Sequence, residues 1–213
     1  MVGNQPVVLI GMGGHARVLL EALRCASIPV SGYVNSAAID SLDKSIRYLG
    51  DDDHFVSNSS PGEAFLVNGV GGVKFTTQRK SLFKRYKSLG YQFATVIHPQ
   101  SVVARDVELG EGSQVMAGAV IQSGVKCGEN VIVNTRAGVD HDCVIESHAH
   151  ISIGSTLAAS VCIGEGTHIG ASATVIQGIH IGSECVVGAG AVVLSDVSTG
   201  DTVVGVPAHR LNR

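Results

Sequence analysis

The chain has 213 residues and a formal net charge of −3, with 27 glycines and no tryptophan. Glycine therefore makes up about 13% of the chain, nearly twice its usual frequency, which favours a turn-rich protein. The low net charge argues against nucleic acid or an anionic membrane as a partner, and no apolar run approaches the roughly 20 residues that a membrane span needs. We therefore expect a cytoplasmic protein, with Val7–Ile10 too short for the core of a signal peptide. The five cysteines are scattered and predict neither a disulfide framework nor a metal cluster.

The first part of the chain, residues 1–93, has the pattern of a small α/β domain. A short apolar strand over Val7–Ile10 is followed by a glycine turn and by helical spacing over residues 16–23. Further strands are predicted over residues 30–34 and 65–70, with a last helix over residues 78–88. This order predicts a small parallel, Rossmann-like sheet. The polar residues 35–61 give no clear secondary-structure signal.

The turn Gly11-Met12-Gly13-Gly14 is the most informative motif of this domain. Backbone N–H groups at a helix N-terminus attract phosphate, so the turn predicts a nucleotide-type ligand. A tight connection between strand and helix explains the glycines equally well. The motif is not a complete G-x-G-x-x-G, and Asn35 stands where a dinucleotide-binding fold carries an acid, which disfavours a dinucleotide cofactor.

From residue 94 onward the sequence repeats every six residues. Each sixth residue from Ile97 to Val193 is aliphatic, with Cys127 as the one exception, and a second series of small or β-branched residues lies two positions earlier. A period of two within strands and six between them predicts a parallel β-helix of hexapeptide repeats, with three short strands in each coil of eighteen residues. We assign residues 94–213 to this domain.

The two domains together resemble one enzyme family. Besides the glycine turn, the resemblance rests on Ile97-His98-Pro99, Val133-Asn134-Thr135, Asp140-His141-Asp142-Cys143 and Gly205-Val206-Pro207-Ala208. The chain resembles the left-handed β-helix acyltransferases, and among them the bacterial sugar-nucleotide N-acetyltransferases of the perosamine and bacillosamine pathways and the sialic acid O-acetyltransferases. The left hand comes from this resemblance, because parallel crossovers are ordinarily right-handed.

The resemblance implies a homotrimer that binds a sugar nucleotide and uses acetyl-CoA as co-substrate, without a metal. The N-terminal domain would hold the nucleotide, and acetyl-CoA would lie in the groove between neighbouring prisms. The implied substrate-binding residues are Gly11, Gly13, Gly14, His15 and Asn35. The implied acetyl-CoA-binding residues are His150, Ala159, Gly188, Ala189, Pro207 and Arg210. Asn35 replaces an acidic residue of many relatives, so the nucleotide base stays open between UDP, GDP and dTDP.

His141 is the candidate catalytic base. It lies two residues past the inward position Val139, so we expect it at a coil turn with its imidazole pointing outward. A histidine with a pKa near 6.5 is suited to remove a proton from an amine at neutral pH. The resemblance implies the same role, with Asp142 orienting the ring and Asp140 as a second possibility. Without the resemblance, three solvated polar residues at an exposed turn would be the simpler interpretation.

The remaining histidines receive other interpretations. His150 precedes the inward Ile151 and lies half a coil beyond His141, so the two cannot be neighbours on one face of one prism. The backbone around Ala158 and Ala159 is the candidate oxyanion donor by resemblance. We expect His148 on an outward strand position, together with His168 and His180, without the ligand spacing of a metal site.

The predicted function is acetyl-CoA-dependent N-acetylation of a nucleotide-linked amino sugar, in polysaccharide biosynthesis, by direct transfer with His141 as general base. One alternative is O-acetylation of a sialic acid, in which the same base would activate a hydroxyl. A second is a non-catalytic trimeric protein that binds a sugar nucleotide. A serine- or maltose-type acetyltransferase is disfavoured, because those enzymes lack the N-terminal domain with the glycine turn.

Overall fold

A computed structural model describes residues 6–39, 46–72 and 77–211 of the chain. Residues 40–45 of the polar stretch, and residues 1–5 and 212–213 at the ends of the two predicted domains, lie outside these ranges.

The N-terminal region contains three strands and three helices. They are β1 (Val7–Ile10), α1 (Gly14–Cys25), β2 (Val30–Val34), α2 (Asp52–Asn58), β3 (Phe65–Asn68) and α3 (Thr77–Ser88). The strands form a parallel sheet in the order β2-β1-β3, with Tyr48 bridged to Tyr33 at the β2 edge. The bounds differ from the sequence prediction by one or two residues: α1 is two residues longer at each end, β3 ends two residues earlier, and α3 begins one residue earlier. Helix α2, capped by the Asp51 carboxylate, was not predicted.

Helices cover both faces of this sheet. Val7 and Leu9 of β1 pack with α1, and the alternating Val8 and Ile10 pack on the other face with Phe55 of α2 and with α3. Successive strand residues point to opposite faces, so one short apolar run supplies two cores. The central strand β1 is therefore continuously apolar, as a strand covered on both faces of a parallel sheet is.

From residue 96 the chain forms a parallel β-solenoid of two-residue strands at six-residue spacing. Their bounds are β4 Val96–Ile97, β5 Val102–Val103, β6 Glu108–Leu109, β7 Gln114–Val115, β8 Val120–Ile121, β9 Lys126–Cys127, β10 Ile132–Val133, β11 Gly138–Val139, β12 Val144–Ile145, β13 His150–Ile151, β14 Thr156–Leu157, β15 Cys162–Ile163, β16 His168–Ile169, β17 Thr174–Val175, β18 His180–Ile181, β19 Val186–Val187 and β20 Val192–Val193. The hairpin β21 (Thr202–Val204) and β22 (His209–Arg210) ends the described chain.

The strands stack into three faces, because each pairs with the strand eighteen residues later, as Val139 does with Leu157. Face 1 contains β4, β7, β10, β13, β16, β19 and the hairpin. Face 2 contains β5, β8, β11, β14, β17 and β20, and face 3 contains β6, β9, β12, β15 and β18. The second residue of each strand points into one continuous core, and the predicted series of smaller residues fills the rest of it.

The N-terminal region packs on face 1 and on the corner between faces 3 and 1. Helix α1 contacts β4, and Gln114 of β7 is hydrogen-bonded to His15 and Asn68. Along the corner, lysines of α3 form ion pairs with Glu111, Glu165 and Glu184 of the solenoid. The corner between faces 2 and 3, on the far side of the prism, is free of these contacts within the described ranges.

Candidate active site

His141 lies at the turn between β11 on face 2 and β12 on face 3. Its side chain is 56% exposed, as expected for an outward position two residues past Val139. Its backbone N–H donates to the Asp140 carboxylate at 2.8 Å, and its carbonyl accepts a hydrogen bond from the Ser160 N–H of the next coil. The Asp142 N–H donates to the Ser123 carbonyl of the preceding coil, so the turn is held from both sides while the imidazole points away from the prism.

Asp142 orients the His141 ring. The Asp142 Oδ2 atom lies 2.8 Å from His141 Nδ1, whereas Asp140 bonds the backbone instead of the ring. A carboxylate can only accept, so Nδ1 carries the proton and Nε2 presents a lone pair to solvent. The hydrogen bond that the ring donates to Asp142 raises the pKa of His141 above its usual value, and the negative charge of Asp140 adds to this effect.

Ala159 lies eighteen residues after His141, directly below it in the next coil. The adjacent Ala158 N–H is bonded to the Val175 carbonyl and cannot act as an oxyanion donor. The Ala159 N–H has no acceptor among the described residues, although its carbonyl is bonded to Gly178. The structure thus places an uncommitted amide about one coil spacing, on the order of 5 Å, from the turn that carries the histidine.

The glycine turn opens α1 without a side-chain cap. The N-cap residue is Gly13, which has no side chain to accept from the first N–H groups of the helix, and no acidic residue lies in the first helical turn. A Cβ atom added at Gly13 or Gly14 would meet nothing within 4 Å. Gly11 has a φ of +83°, which requires glycine. Free N–H groups and open space at a helix N-terminus are the features of an anion site.

His15 follows this turn and has a defined tautomer. Gln114 donates its Nε2 to the Asn68 carbonyl at 2.9 Å, so its Oε1 accepts from His15 Nε2 at 2.8 Å. His15 Nδ1 is then left as an unprotonated acceptor. Burial, together with the positive charge of Arg79, lowers the pKa of His15 to about 4, which keeps the ring neutral at physiological pH.

His150 lies on face 1, far from the corner that carries His141, in agreement with the half-coil spacing. Its ring is buried with 6% exposure: Nδ1 donates to the Gly72 carbonyl at 2.8 Å, and Nε2 accepts from Asn134 at 3.1 Å. The Asn134 Oδ1 atom is already bonded to the Thr135 N–H, which fixes this direction. Burial lowers the pKa of His150 to about 3. Both ring nitrogens are therefore committed within the chain.

The C-terminal residues assigned to acetyl-CoA lie together around the last coils. Gly188 is bonded to the Val203 carbonyl, and Ala189 is exposed in the turn after β19. Pro207 follows a cis peptide bond in the loop between β21 and β22. The Arg210 guanidinium is exposed and forms an ion pair with Asp201 at 2.9 Å. Asn35, at the end of β2, donates its side-chain amide to the Ala37 carbonyl.

The other histidines divide between strand and turn. His168 and His180 lie on outward strand positions, as predicted, in β16 on face 1 and β18 on face 3. The strand position predicted for His148 is wrong. His148 is a turn residue with a φ of +65°, buried under α3 with its ring 5.6 Å from that of Phe83. Within residues 6–39, 46–72 and 77–211, no group of three metal-ligating side chains comes together. None of the helices described is both long and apolar enough to cross a membrane.

Sequence reasoning missed a buried polar network between the two parts of the chain. Asn68, Arg79, Gln114 and Asn130 are all buried and hydrogen-bonded to one another or to nearby backbone. Nothing in the sequence indicates that Arg79 is buried, since it directly precedes the basic stretch Lys80–Lys87, whose helical spacing is typical of an amphipathic surface helix. The hexapeptide period does indicate the contact of Gln114. It places this residue on an outward position, so the amide requires a partner outside the solenoid core.

Comparison with known proteins supports this description. The family described as hexapeptide repeat of succinyl-transferase matches residues 160–195. The acetyltransferase domain of PglB from Neisseria gonorrhoeae FA1090 is 33% identical, covers 98% of this chain and 100% of its own, and superposes with a TM-score of 0.90. The chain belongs to the hexapeptide-repeat sugar N-acetyltransferases. This confirms the family predicted from the glycine turn and the repeat.

Two further solved structures are similar to this chain over almost its whole length. A histidine-to-asparagine variant of perosamine N-acetyltransferase from Caulobacter crescentus, in complex with CoA and GDP-perosamine, is 33% identical over 100% of this chain and 99% of its own, with a TM-score of 0.89. WeeI from Acinetobacter baumannii AYE, 23% identical over 96% and 99% of the two chains with a TM-score of 0.79, shares the fold.

Proposed function

We propose that the protein transfers the acetyl group of acetyl-CoA to the amine of a nucleotide-linked amino sugar. The observation that carries this proposal is the exposed His141, which Asp142 holds with Nε2 as its free ring nitrogen. Related structures support the two ligands, since the Neisseria domain was solved with acetyl coenzyme A and the Caulobacter enzyme with CoA and GDP-perosamine.

A sugar amine is largely protonated at neutral pH, so it first loses one proton to solvent and becomes a nucleophile. His141 Nε2 then accepts a second proton as the neutral nitrogen attacks the thioester carbon. The N–C bond forms, the C–S bond breaks, and the proton passes on to the thiolate of CoA. The Ala159 N–H is suited to stabilise the oxyanion that develops on the carbonyl oxygen. The inward-facing Cys143, whose thiol donates to the Ala158 carbonyl, takes no part.

The sugar nucleotide is assigned to the N-terminal region. We assign its phosphates to the free N–H groups after Gly11, Gly13 and Gly14, and one hydroxyl or amine donor to the unprotonated Nδ1 of His15. Asn35 lies at the carboxyl end of β2, where ligands of parallel sheets bind. The base can be that of UDP, GDP or dTDP.

The two halves of this site lie on opposite sides of one chain. The glycine turn belongs to the region packed on face 1, whereas His141 lies at the corner between faces 2 and 3. A productive site therefore combines two copies, which supports the homotrimer. The outward residues of face 2 are uncharged and suit such an interface: Val102, Val120, Gly138, Thr156, Thr174 and Val192.

In this arrangement acetyl-CoA lies in the groove between two prisms. We assign its nucleotide end to Gly188, Ala189, Pro207 and Arg210, where Arg210 would exchange Asp201 for a phosphate. We assign His150 to the acetyl side of the site. From the family, we further propose that the coil is left-handed, with a Rossmann-like domain over residues 1–93 and a β-helix domain over residues 94–213. We also propose that the protein acts in the cytoplasm, in polysaccharide biosynthesis.

The test is release of the CoA thiol from acetyl-CoA with a panel of UDP-, GDP- and dTDP-linked amino sugars, with sialic acid included. We expect turnover with one amino sugar, and a loss of at least about a hundredfold in His141→Ala, the range typical of a general base. Turnover with sialic acid alone would establish O-acetylation instead. Nucleotide-sugar binding without thiol release would support the non-catalytic alternative.

The pH profile of kcat/KM distinguishes the effects of Asp142 and Asp140 on His141. Its acidic limb reports the His141 pKa, which the Asp142 carboxylate raises. We expect Asp142→Asn to move this limb to lower pH and to reduce the plateau. The matched variant Asp140→Asn should shift the limb less, since Asp140 bonds the backbone of the turn.

A further inference from the structure

Arg79, near the start of α3, is a buried cation without a counter-ion among the residues that the structure describes. Its side chain is 1% exposed, and its guanidinium donates through Nη1 to the Asn68 and Val70 carbonyls, both at 2.8 Å. Nε approaches the Asn130 carbonyl at 3.4 Å, and Nη2 has no hydrogen-bond partner within residues 6–39, 46–72 and 77–211. Burial lowers the pKa of Arg79 to about 9, so the group remains charged at neutral pH.

The surroundings of Arg79 are neutral. No carboxylate in the described part of the chain pairs with it, and its charge helps to lower the pKa values of His15, His148 and His150. A lone buried charge is costly unless another group compensates it. The contacts to the three backbone carbonyls supply dipoles but no net negative charge, so the buried network around Arg79 carries a net positive charge.

This charge is connected to the glycine turn through the backbone of residues 68–70. The two carbonyls that Arg79 holds flank Gly69, whose N–H donates to the Ile10 carbonyl at 2.8 Å. A Cβ atom at Gly69 would come within 2.4 Å of the Gly11 carbonyl oxygen, so the two backbones are in close contact. The uncapped N-terminus of α1, with its own partial positive charge, faces the same turn.

We infer that Arg79 is the buried counter-charge for the diphosphate of the sugar nucleotide and thereby sets the enzyme's preference for a diphosphate-linked substrate. The inference rests on the proposed function, which assigns the diphosphate to the glycine turn. Arg79 acts through space and through the Asn68–Val70 backbone, without being exposed itself. It is therefore a positioning residue, and its charge offsets the charge that the ligand brings into the junction.

The test compares a charge-free variant with a charge-keeping one. Arg79→Gln retains amide donors for the two carbonyls, whereas Arg79→Lys retains the charge. Calorimetric titration of the full chain with UDP, GDP and dTDP, and with the matching nucleoside monophosphates and nucleosides, gives the affinity gained with each phosphate. In Arg79→Gln we expect diphosphate binding to weaken about tenfold or more and nucleoside binding to change less than about twofold. Arg79→Lys should retain most of the diphosphate affinity.

Several outcomes would overturn the inference. Equal loss for diphosphate and nucleoside, or equal loss in the Gln and Lys variants, would assign Arg79 a structural role. In the wild type, a diphosphate that binds no more tightly than its nucleoside would overturn it without any variant. Lys84→Met, which removes an exposed cation of the same helix, is the control and should leave all affinities unchanged. A wild-type protein that binds none of the diphosphates would contradict the proposed function itself.

Discussion

The solenoid and the junction between the two parts of the chain are stabilised in opposite ways. The solenoid repeats one simple arrangement, in which aliphatic side chains point inward and each strand bonds to the strand eighteen residues away. The junction is assembled once, from Asn68, Arg79, Gln114, Asn130 and histidines that are buried and directionally hydrogen-bonded.

This contrast explains where the chemistry lies. The apolar core repeats from coil to coil and does not involve the outward turn residues. An exposed polar turn such as that of His141 therefore leaves no buried polar group unpaired. A buried polar network is specific but expensive, since each unpaired group costs about 1–3 kcal/mol. The molecule concentrates such groups at the junction beside the glycine turn, where a ligand can compensate them.

The largest expected effect comes from the apolar core. Ile145 and Val144 are neighbours on β12, with 1% and 41% exposure. Ile145→Ala leaves a cavity in the core and should lower the free energy of unfolding by about 2–5 kcal/mol, whereas Val144→Ala should cost less than about 1 kcal/mol. Denaturant unfolding of both variants at one protein concentration measures the difference. Similar losses at the two positions would contradict the period-two core.

The same contrast separates what the sequence predicted from what it did not. The solenoid core was predictable almost residue by residue, because inward positions recur every six residues and tertiary context repeats with them. Even the exposure of His141 followed from counting from Val139. The strand position predicted for His148 was wrong. This residue lies in a turn with a positive φ, one coil after Asn130, which occupies the equivalent turn position.

The junction was not predictable from the same reasoning. The burial of Arg79 depends on the docking of α3 against Asn130 of another element, and no local pattern encodes that distance. The preference of Asp142 over Asp140 likewise depends on turn geometry, since both flank His141 in sequence. Helix α2 lacked a recognisable period, although Asp51 at its N-cap is a usable start signal in hindsight.

An intermediate effect is expected when the junction is acidified. Burial lowers the pKa of His148 to about 4, below the value near 6.5 expected in the unfolded chain. Between these values the unfolded state binds more protons, so stability falls as the pH drops through that window. For His148 alone we expect a loss of about 1–2 kcal/mol between pH 7 and 5.

Unfolding curves of the wild type and His148→Leu over this pH range test the effect. The variant loses the hydrogen bond to Asn130 and should be less stable at pH 7, but its stability should depend less on pH. An equally steep dependence in both proteins would show that His148 does not contribute.

The smallest effect is expected at the exposed edge of the junction. Lys80 forms ion pairs with Glu184 at 2.7 Å and with Glu165 at 3.0 Å, which tie α3 to two successive coils. These carboxylates raise the pKa of Lys80, but its partners are 40% or more exposed, so water and salt screen the pairs. Lys80→Met should lower the free energy of unfolding by about 0.5–1 kcal/mol at low salt, and this difference should shrink in 1 M salt, where the screening length is about 3 Å.

The control is Lys126→Met, which removes an ion pair with Glu108 in which both side chains are more than 60% exposed. This variant should lower the free energy of unfolding by less. If Lys80→Met instead lost several kcal/mol independently of salt, the ion pairs would belong with the buried network and the division between a costly interior and a weak edge would fail.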